Sequence, residues 1–436
     1  MNNLIPEGWE QNKLGKYVGI LGGNAFKSEA FTEVGIPVVR ISNIKKDGSI
    51  NLNSSIFTNE DASFNRFKVQ YGDILIAMSG ATTGKVGRYA LNNYSYLNQR
   101  VGKFFAKRKN DVSMDYIHQV TAKDSFVQSI LIDAIGGAQP NISNQQIESI
   151  IALFPPLPEQ QKIAAILTSV DEVIEKTQAQ IDKLKDLKSG MMQELLTKGV
   201  GIKQGDKYEP HTEFKDSPVG KIPKSWEVRK LADLIGSLQG GVSVNGENRP
   251  KKHSEIGVLK VSAVFKGRFI PSEYKTITKE DEPRARVNPI KGTILFSRAN
   301  TPELVGESGY IEESVSDLFL PDKLWVLTAK EPNSLDMRWL CYLLNSDKIR
   351  KMITDVATGS SSSMKNISKV SLLSLEFAMP SCKNEQVEIS RILHSIDIKL
   401  NKTEQKLLRT SNLKKALMQD LLTGKVRVKL DNDSVV

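Results

Sequence analysis

Residues 71–90 read YGDILIAMSGATTGKVGRYA: an apolar run of strand character, a Gly-Thr loop, then Gly84-Lys85. Residues of these types can cradle a phosphate. Amides of a glycine-rich loop wrap the anion, a lysine neutralises it, and a hydroxyl next to the lysine holds magnesium. The spacing here does not serve that chemistry. Only three residues separate Gly80 from Gly84, and Val86 stands where the hydroxyl belongs. A methyltransferase acting on a base amino group needs an Asn/Asp-Pro-Pro-aromatic loop. In FPPLPEQQ (154–161) Phe154 replaces the acid or amide and Leu157 the aromatic. No GxGxxG stands between a strand and a helix, and His118, His211, His253 and His394 are scattered without metal-ligand spacing. No catalytic or metal site is expected.

Bulk properties point to a polyanionic partner. The 436 residues carry 60 Lys+Arg against 50 Asp+Glu, a net charge of +10. Two cysteines, Cys341 and Cys382, exclude a disulfide framework. With no signal-peptide pattern and no 18-residue apolar run, a cytoplasmic location is expected.

The elements that must position any site are written twice. IPEGWEQNKL (5–14) recurs as IPKSWEVRKL (222–231), VVRISNI (38–44) as VLKVSAV (258–264), and GDIL (72–75) as GTIL (292–295). YLNQRV (96–101) answers to FLPDKL (319–324), NIS recurs at 141–143 and 366–368, and EQQKIAAILTSVDEVIEKT (159–177) aligns with EQVEISRILHSIDIKLNKT (385–403). The offset grows steadily from 217 to 226, as a duplicated unit with small loop insertions requires.

The fold class expected is α+β: a tandem pseudo-twofold duplication of a mixed α/β domain plus a long helix. The boundaries read as 1–154 for the first mixed domain, 155–199 for its helix and 200–218 for a linker; the second domain takes 219–380, its helix 381–425, and a tail 426–436. Within each mixed domain, short β-branched runs bounded by Gly and Asn read as strands, and 114–135 and 335–356 carry helical spacing. The long segments carry heptad seams: Ile163, Leu167, Val170, Ile174, Ile181 and Leu184 in the first, and Ile389, Leu393, Ile396, Leu400, Leu407 and Leu417 in the second. The polar interruptions coincide as well, Thr177 with Thr403 and Lys188 with Lys414. Antiparallel pairing of two such helices, each about 60 Å long, would hold the mixed domains at opposite ends of a rod.

Loops that differ between copies on a shared frame are where recognition would be encoded. After the shared strand the first copy offers Ser79, Thr82, Thr83 and Lys85, with Arg88 beyond; the second offers Ser297, Arg298 and Asn300. Val86-Gly87 is matched with Val305-Gly306, which makes Gly-Lys the variable part and Val-Gly the frame. Cations recur at strand ends: Arg40 with Lys260, each two residues before Ser42 or Ser262, and Arg100 with Lys323. Lys27, Asn43 and Lys365 complete the set expected to meet phosphates or base edges.

IPEGWE, GIPVVRISNI, GDILIAMSG, QPNIS and PPLPEQQKIAAIL followed by LKSGMMQELLTKG resemble the specificity (S) subunits of type I restriction–modification enzymes. The resemblance runs over nearly the whole chain, although AMPSCKNEQ replaces the proline-rich lead-in at the second helix. It implies that each mixed domain is a target recognition domain reading one half of a split DNA sequence. The helices would be the conserved regions that set half-site spacing and dock two modification subunits. S-adenosylmethionine, ATP and magnesium would belong to those subunits and to restriction subunits, not to this chain. Two rival classes remain: a fused DNA methyltransferase or nuclease, and a coiled-coil scaffold with no nucleic-acid partner.

Overall fold

The computed structural model describes residues 5–133, 141–361 and 364–430. Parts of the polar loops expected at 136–141 and 359–366, and the end of the tail expected at 426–436, lie outside the described residues. The chain forms two compact units. One takes residues up to Ala179 together with those from Gln405 onward; the other is Gln180–Glu404. Each contains one mixed region and a part of each long helix.

In the first unit Glu10–Lys13 pairs antiparallel with Ile151–Phe154, so the opening strand closes on the last strand before the helix. A four-stranded antiparallel sheet runs in the order Val18–Gly22, Val101–Ala106, Ile74–Ala77, Val86–Arg88. A five-stranded sheet includes Ile36–Val39 parallel to Ser95–Leu97. The run ILIA lacks polar alternation because both of its faces are covered. Ile74 and Ile76 face one apolar cluster, Leu75 and Ala77 the other. The second unit repeats this: Ile294 and Phe296 lie in one cluster and Leu295 in its neighbour, with Ile294–Ser297 between Leu324–Ala329 and Ser308–Tyr310.

Each expected helical stretch is two helices. The first unit has Met114–Thr121 and Asp124–Asp133, the second Met337–Leu344 and Asp347–Val356. Ser113 and Asp336 cap the first helix of each pair, accepting from the amides of Tyr116 and Trp339. In the second unit Asn345 ends it, donating its side-chain amide to the Cys341 carbonyl.

The long helices are Leu157–Lys198 and Lys383–Leu421. Within the first unit, Ile163, Ala164 and Leu167 near the start of one helix pack with Leu417, Met418 and Leu421 near the end of the other. Within the second, Met191, Met192, Leu195 and Leu196 pack with Ile389, Ile392 and Leu393. Start meets end in both, so the pairing is antiparallel. Of the seam residues, Ile163, Leu167, Ile181, Leu184, Ile389, Leu393, Ile396 and Leu400 are buried, and Val170, Ile174, Leu407 and Leu417 half-buried.

The polar interruptions have distinct solutions. Thr177 and Thr403 donate their hydroxyls back to the carbonyls of Val173 and Lys399. The lysines reach across. Lys414 Nζ lies 2.5 Å from Asp171 Oδ1 in the first unit, and Lys188 Nζ 2.7 Å from Asp397 Oδ1 in the second. The other oxygen of each aspartate accepts from the mixed region: Gln119 at 3.0 Å, and the Tyr342 hydroxyl at 2.6 Å. Each aspartate thus joins two long helices and a domain helix.

His118 sits beside this junction. Burial pushes its pKa down to about 4, with Arg88 and Lys414 acting in the same direction and Asp171 and Asp115 against it. The folded state therefore refuses a proton that the unfolded chain accepts below about pH 6.5. Its contribution is complete above that pH and is lost as pH falls toward 4, by up to about 3 kcal/mol. In urea titrations from pH 7 to 4, His118→Gln is expected to flatten the fall in midpoint; an unchanged slope would remove His118 as its source.

The paired Glu-Gln at each helix start anchors the repeat's tryptophan. Trp9 Nε1 donates to Glu159 and Trp226 Nε1 to Glu385, both at 3.1 Å. Gln160 accepts from the Ser113 amide and Gln386 from the Asp336 amide, so each glutamine also holds the lead-in to the domain helix.

Candidate nucleic-acid interface

The central strand of each mixed region ends at a junction built the same way twice. In the first unit the Ala77 amide donates to the Lys85 carbonyl, the Gly84 amide to Ala77, the Met78 amide to Arg100, and the Ile142 amide to Met78. In the second, Ser297 donates to Glu307, Gly306 to Ser297, Arg298 to Lys323, and Ile367 to Arg298. Three loops therefore meet at Met78 and at Arg298. A fourth segment joins the first junction, where Ile41 Cδ1 lies 3.4 Å from the Cβ position of Gly80.

This frame corrects the alignment read from sequence. Ile74↔Arg88, Leu75↔Gly87 and Ile76↔Val86 match Ile294↔Tyr310, Leu295↔Gly309 and Phe296↔Ser308. Gly84 is therefore equivalent to Gly306, and Gly87 to Gly309. The second loop is longer, and the recurrence of Val-Gly at 86–87 and 305–306 is a coincidence of that insertion. Gly84 and Gly306 share a left-handed backbone, φ +83 and +84, beneath Ile130 and Ile353. The glycine is frame, and the position after it varies, Lys85 against Glu307. No helix follows Lys85; the chain returns in Val86–Arg88. The phosphate cradle of a nucleotide site, which ends in a helix N-terminus, is not formed.

A side chain at Gly306 would place Cβ 2.4 Å from Ile353 Cγ2, against 3.3 Å from Ile130 Cγ2 at Gly84. Gly306→Ala is expected to cost about 2–3 kcal/mol and Gly84→Ala about 1 kcal/mol. Thermal melts of the two variants check the order, and equal losses would mean that Ile353 yields.

The expected contact residues divide. Arg40, Ser42, Thr82, Lys85 and Arg100 are exposed or half-exposed on the loops at or next to the first junction; Lys260, Ser262, Arg298, Asn300, Lys323 and Lys365 are so placed in the second unit. Lys27 is exposed on the segment that Asn24 ties to Asn98. Four others are buried and are not available for the contact expected of them. Asn43 accepts from the Arg40 amide and donates to the Asn51 carbonyl. Ser297 is a strand residue with no exposed surface, while Ser79 and Thr83 lie within their loop. Arg88 is drawn away by Asp115 at 2.5 Å.

Among those that remain, commitment differs. Arg40 donates to the Ser54 carbonyl, Ser262 to Glu273, and Asn300 caps the Thr301 amide. Lys85, Arg100 and Lys323 have no side-chain partner among the described residues. Sequence reasoning missed Arg350, which donates to the carbonyls of Val305 and Glu303 and holds the second loop from a neighbouring helix. Nothing in a helical apolar pattern marks such a clamp. Among the described residues no group of three His, Cys, Asp or Glu is placed to hold a metal, and no helix is long and apolar enough to cross a membrane.

The family model of the type I restriction modification DNA specificity domain matches residues 6–186 and again 223–410, one match per copy. The chain belongs to this family. Relatives of the specificity family span its length. The type I restriction enzyme MjaVIII specificity subunit of Methanocaldococcus jannaschii is 27% identical over 98% of this chain and 94% of its own. The EcoKI specificity subunit of Escherichia coli is 22% identical, covering 97% and 90%. The crystal structure of the S subunit of a type I restriction–modification system from M. genitalium shares the fold, with a TM-score of 0.63 and 15% identity over 97% of both chains.

Proposed function

We propose that this chain is the non-catalytic, DNA-reading subunit of a type I restriction–modification assembly. Each mixed region reads one half of a bipartite target, and the paired helices set the spacing and dock two modification subunits. The observation that carries this reading is the specificity family's match to both copies. It is supported by two equivalent loop junctions whose frames agree while their side chains differ. S-adenosylmethionine, ATP and magnesium are assigned to the modification and restriction subunits, and the assembly to the cytoplasm. Mapping methylated adenines in cells carrying this subunit with its partners tests the reading. A motif of two short specified halves around an unread gap supports it, and methylation that does not depend on this chain refutes it.

The cations that recur in both units are assigned to phosphates. Arg100→Ala and Lys323→Ala in the partner-bound complex are expected to weaken DNA binding whatever the sequence, each lowering the slope of log affinity against log salt by about 1. Arg40→Ala and Lys260→Ala should act alike but less, since Arg40 also holds Ser54 and Lys260 lies 3.9 Å from Glu273. A changed base preference in any of these variants would reassign that residue to base readout.

A further inference from the structure

Met78 and Arg298 occupy the same place in the two units, where three loops meet, yet their chemistry differs completely. The residue beneath differs with them. Ile76 pairs with Gly102, whereas Phe296 pairs with Trp325. A Cβ on Gly102 would stand 2.9 Å from Met78 Sδ, so the thioether covers the bare strand. In the second unit Trp325 fills that space. The Arg298 guanidinium carbon lies 5.4 Å from the indole centroid, and Phe296 stacks on Trp325 at 6.1 Å. The exchange is a matched pair: Met over Gly, Arg over Trp.

We infer that Arg298 reads a guanine in the half-site of the second unit through the O6 and N7 acceptors of its major-groove edge. This rests on the DNA-reading function proposed above. A guanidinium is a planar fork, and a ring face beneath it fixes the plane at modest cost. Nε is buried and without an acceptor among the described residues, and no carboxylate pairs with the group there. Half-exposed Arg298 thus presents the fork at the loop junction. Bidentate donation to O6 and N7 is what such a fork does best in a major groove.

A phosphate would accept the same fork, but the duplication argues for the base. Phosphate contacts carry no sequence information and are needed equally in both halves. Arg40 with Lys260, and Arg100 with Lys323, keep a cation in both copies. The 78/298 position changes from thioether to guanidinium, as a residue that sets sequence must.

The test uses the subunit with its modification partners in cells carrying a plasmid library randomised across the wild-type motif, read by methylation mapping. Wild type must first give a bipartite motif; if it does not, the underlying reading fails and not this inference. Arg298→Met and Arg298→Lys are then compared. Both are expected to relax one guanine of one half-site, with a loss of about tenfold or more in preference, while the other half stays as it was. Arg298→Lys keeps the charge and the cation over Trp325, so it decides the matter if Arg298→Met yields no soluble subunit. A uniform drop in methylation with every preference intact makes Arg298 a phosphate contact. Either that result, or a lysine variant indistinguishable from wild type, overturns the inference.

Discussion

Glu385→Ala is expected to destabilise the second unit by about 3–5 kcal/mol. The carboxylate is nearly inaccessible and accepts from Trp226 Nε1 at 3.1 Å and from the amides of Val200 and Gly201 at 3.2 Å each; His211 Nε2 lies 2.8 Å away. Removing it strands several donors where water does not reach, and each unsatisfied group costs about 1–3 kcal/mol. Glu159 is the equivalent residue, but its surroundings are more forgiving. It holds Trp9, and Arg427 closes it at 2.7 Å with a side chain 45% exposed, free to turn to water. Glu159→Ala is therefore expected to cost about 1–3 kcal/mol. Urea unfolding of the partner-bound subunit, followed by tryptophan fluorescence, compares the two. Equal losses would mean that the amides of Val200 and Gly201 find other acceptors.

These glutamates mark how far the sequence alone reaches. Their recurrence was legible, since Glu-Gln opens both long segments at the same offset from the heptad rows. Their role was not. The tryptophan lies about 150 residues earlier, and the closing partner differs between copies, Arg427 in one and His211 in the other. Repetition marks which positions matter, but only folding shows what they touch. The lysine interruptions are similar. Lys188 and Lys414 stood out as polar residues in apolar rows, whereas nothing in those rows marked their partners Asp397 and Asp171.

The candidate site was legible as a region and less so by residue. The strand leading into it was plain from GDIL and GTIL, and recurrence picked out cations near its end, of which Arg100 and Lys323 lie on loops that meet it. Asn43 and Ser297 are unavailable for a physical reason: a polar side chain beside a loop looks free until a cap holds it, as at Asn43, or until both faces of its strand are covered, as at Ser297. The loop alignment failed because an insertion moved Val305-Gly306 into false correspondence with Val86-Gly87. Backbone conformation restored it, since Gly84 and Gly306 share a φ that other residues rarely adopt.

Removing one heptad from each long helix is expected to shorten the unread gap in the DNA target by about three base pairs. The two cross-helix pairs define where the cut belongs. Asp171–Lys414 lies in one unit and Lys188–Asp397 in the other, and deleting 175–181 together with 401–407 leaves all four residues in place. Seven residues remove about 10 Å of helix, close to three base pairs at about 3.4 Å each. Because the deletion is nearly two full turns, the remaining faces rotate by only about 20°, and the seam stays continuous. Three base pairs also turn the duplex through about 100°, so binding should weaken even at the new optimum. Affinities of the partner-bound complex for duplexes with graded gaps give the answer without requiring catalysis. An optimum at the original gap would sink the idea that the helices measure the spacing. Shortening one helix alone is the control: the two ion pairs can no longer form in the same register, and lost stability rather than a shifted optimum is expected.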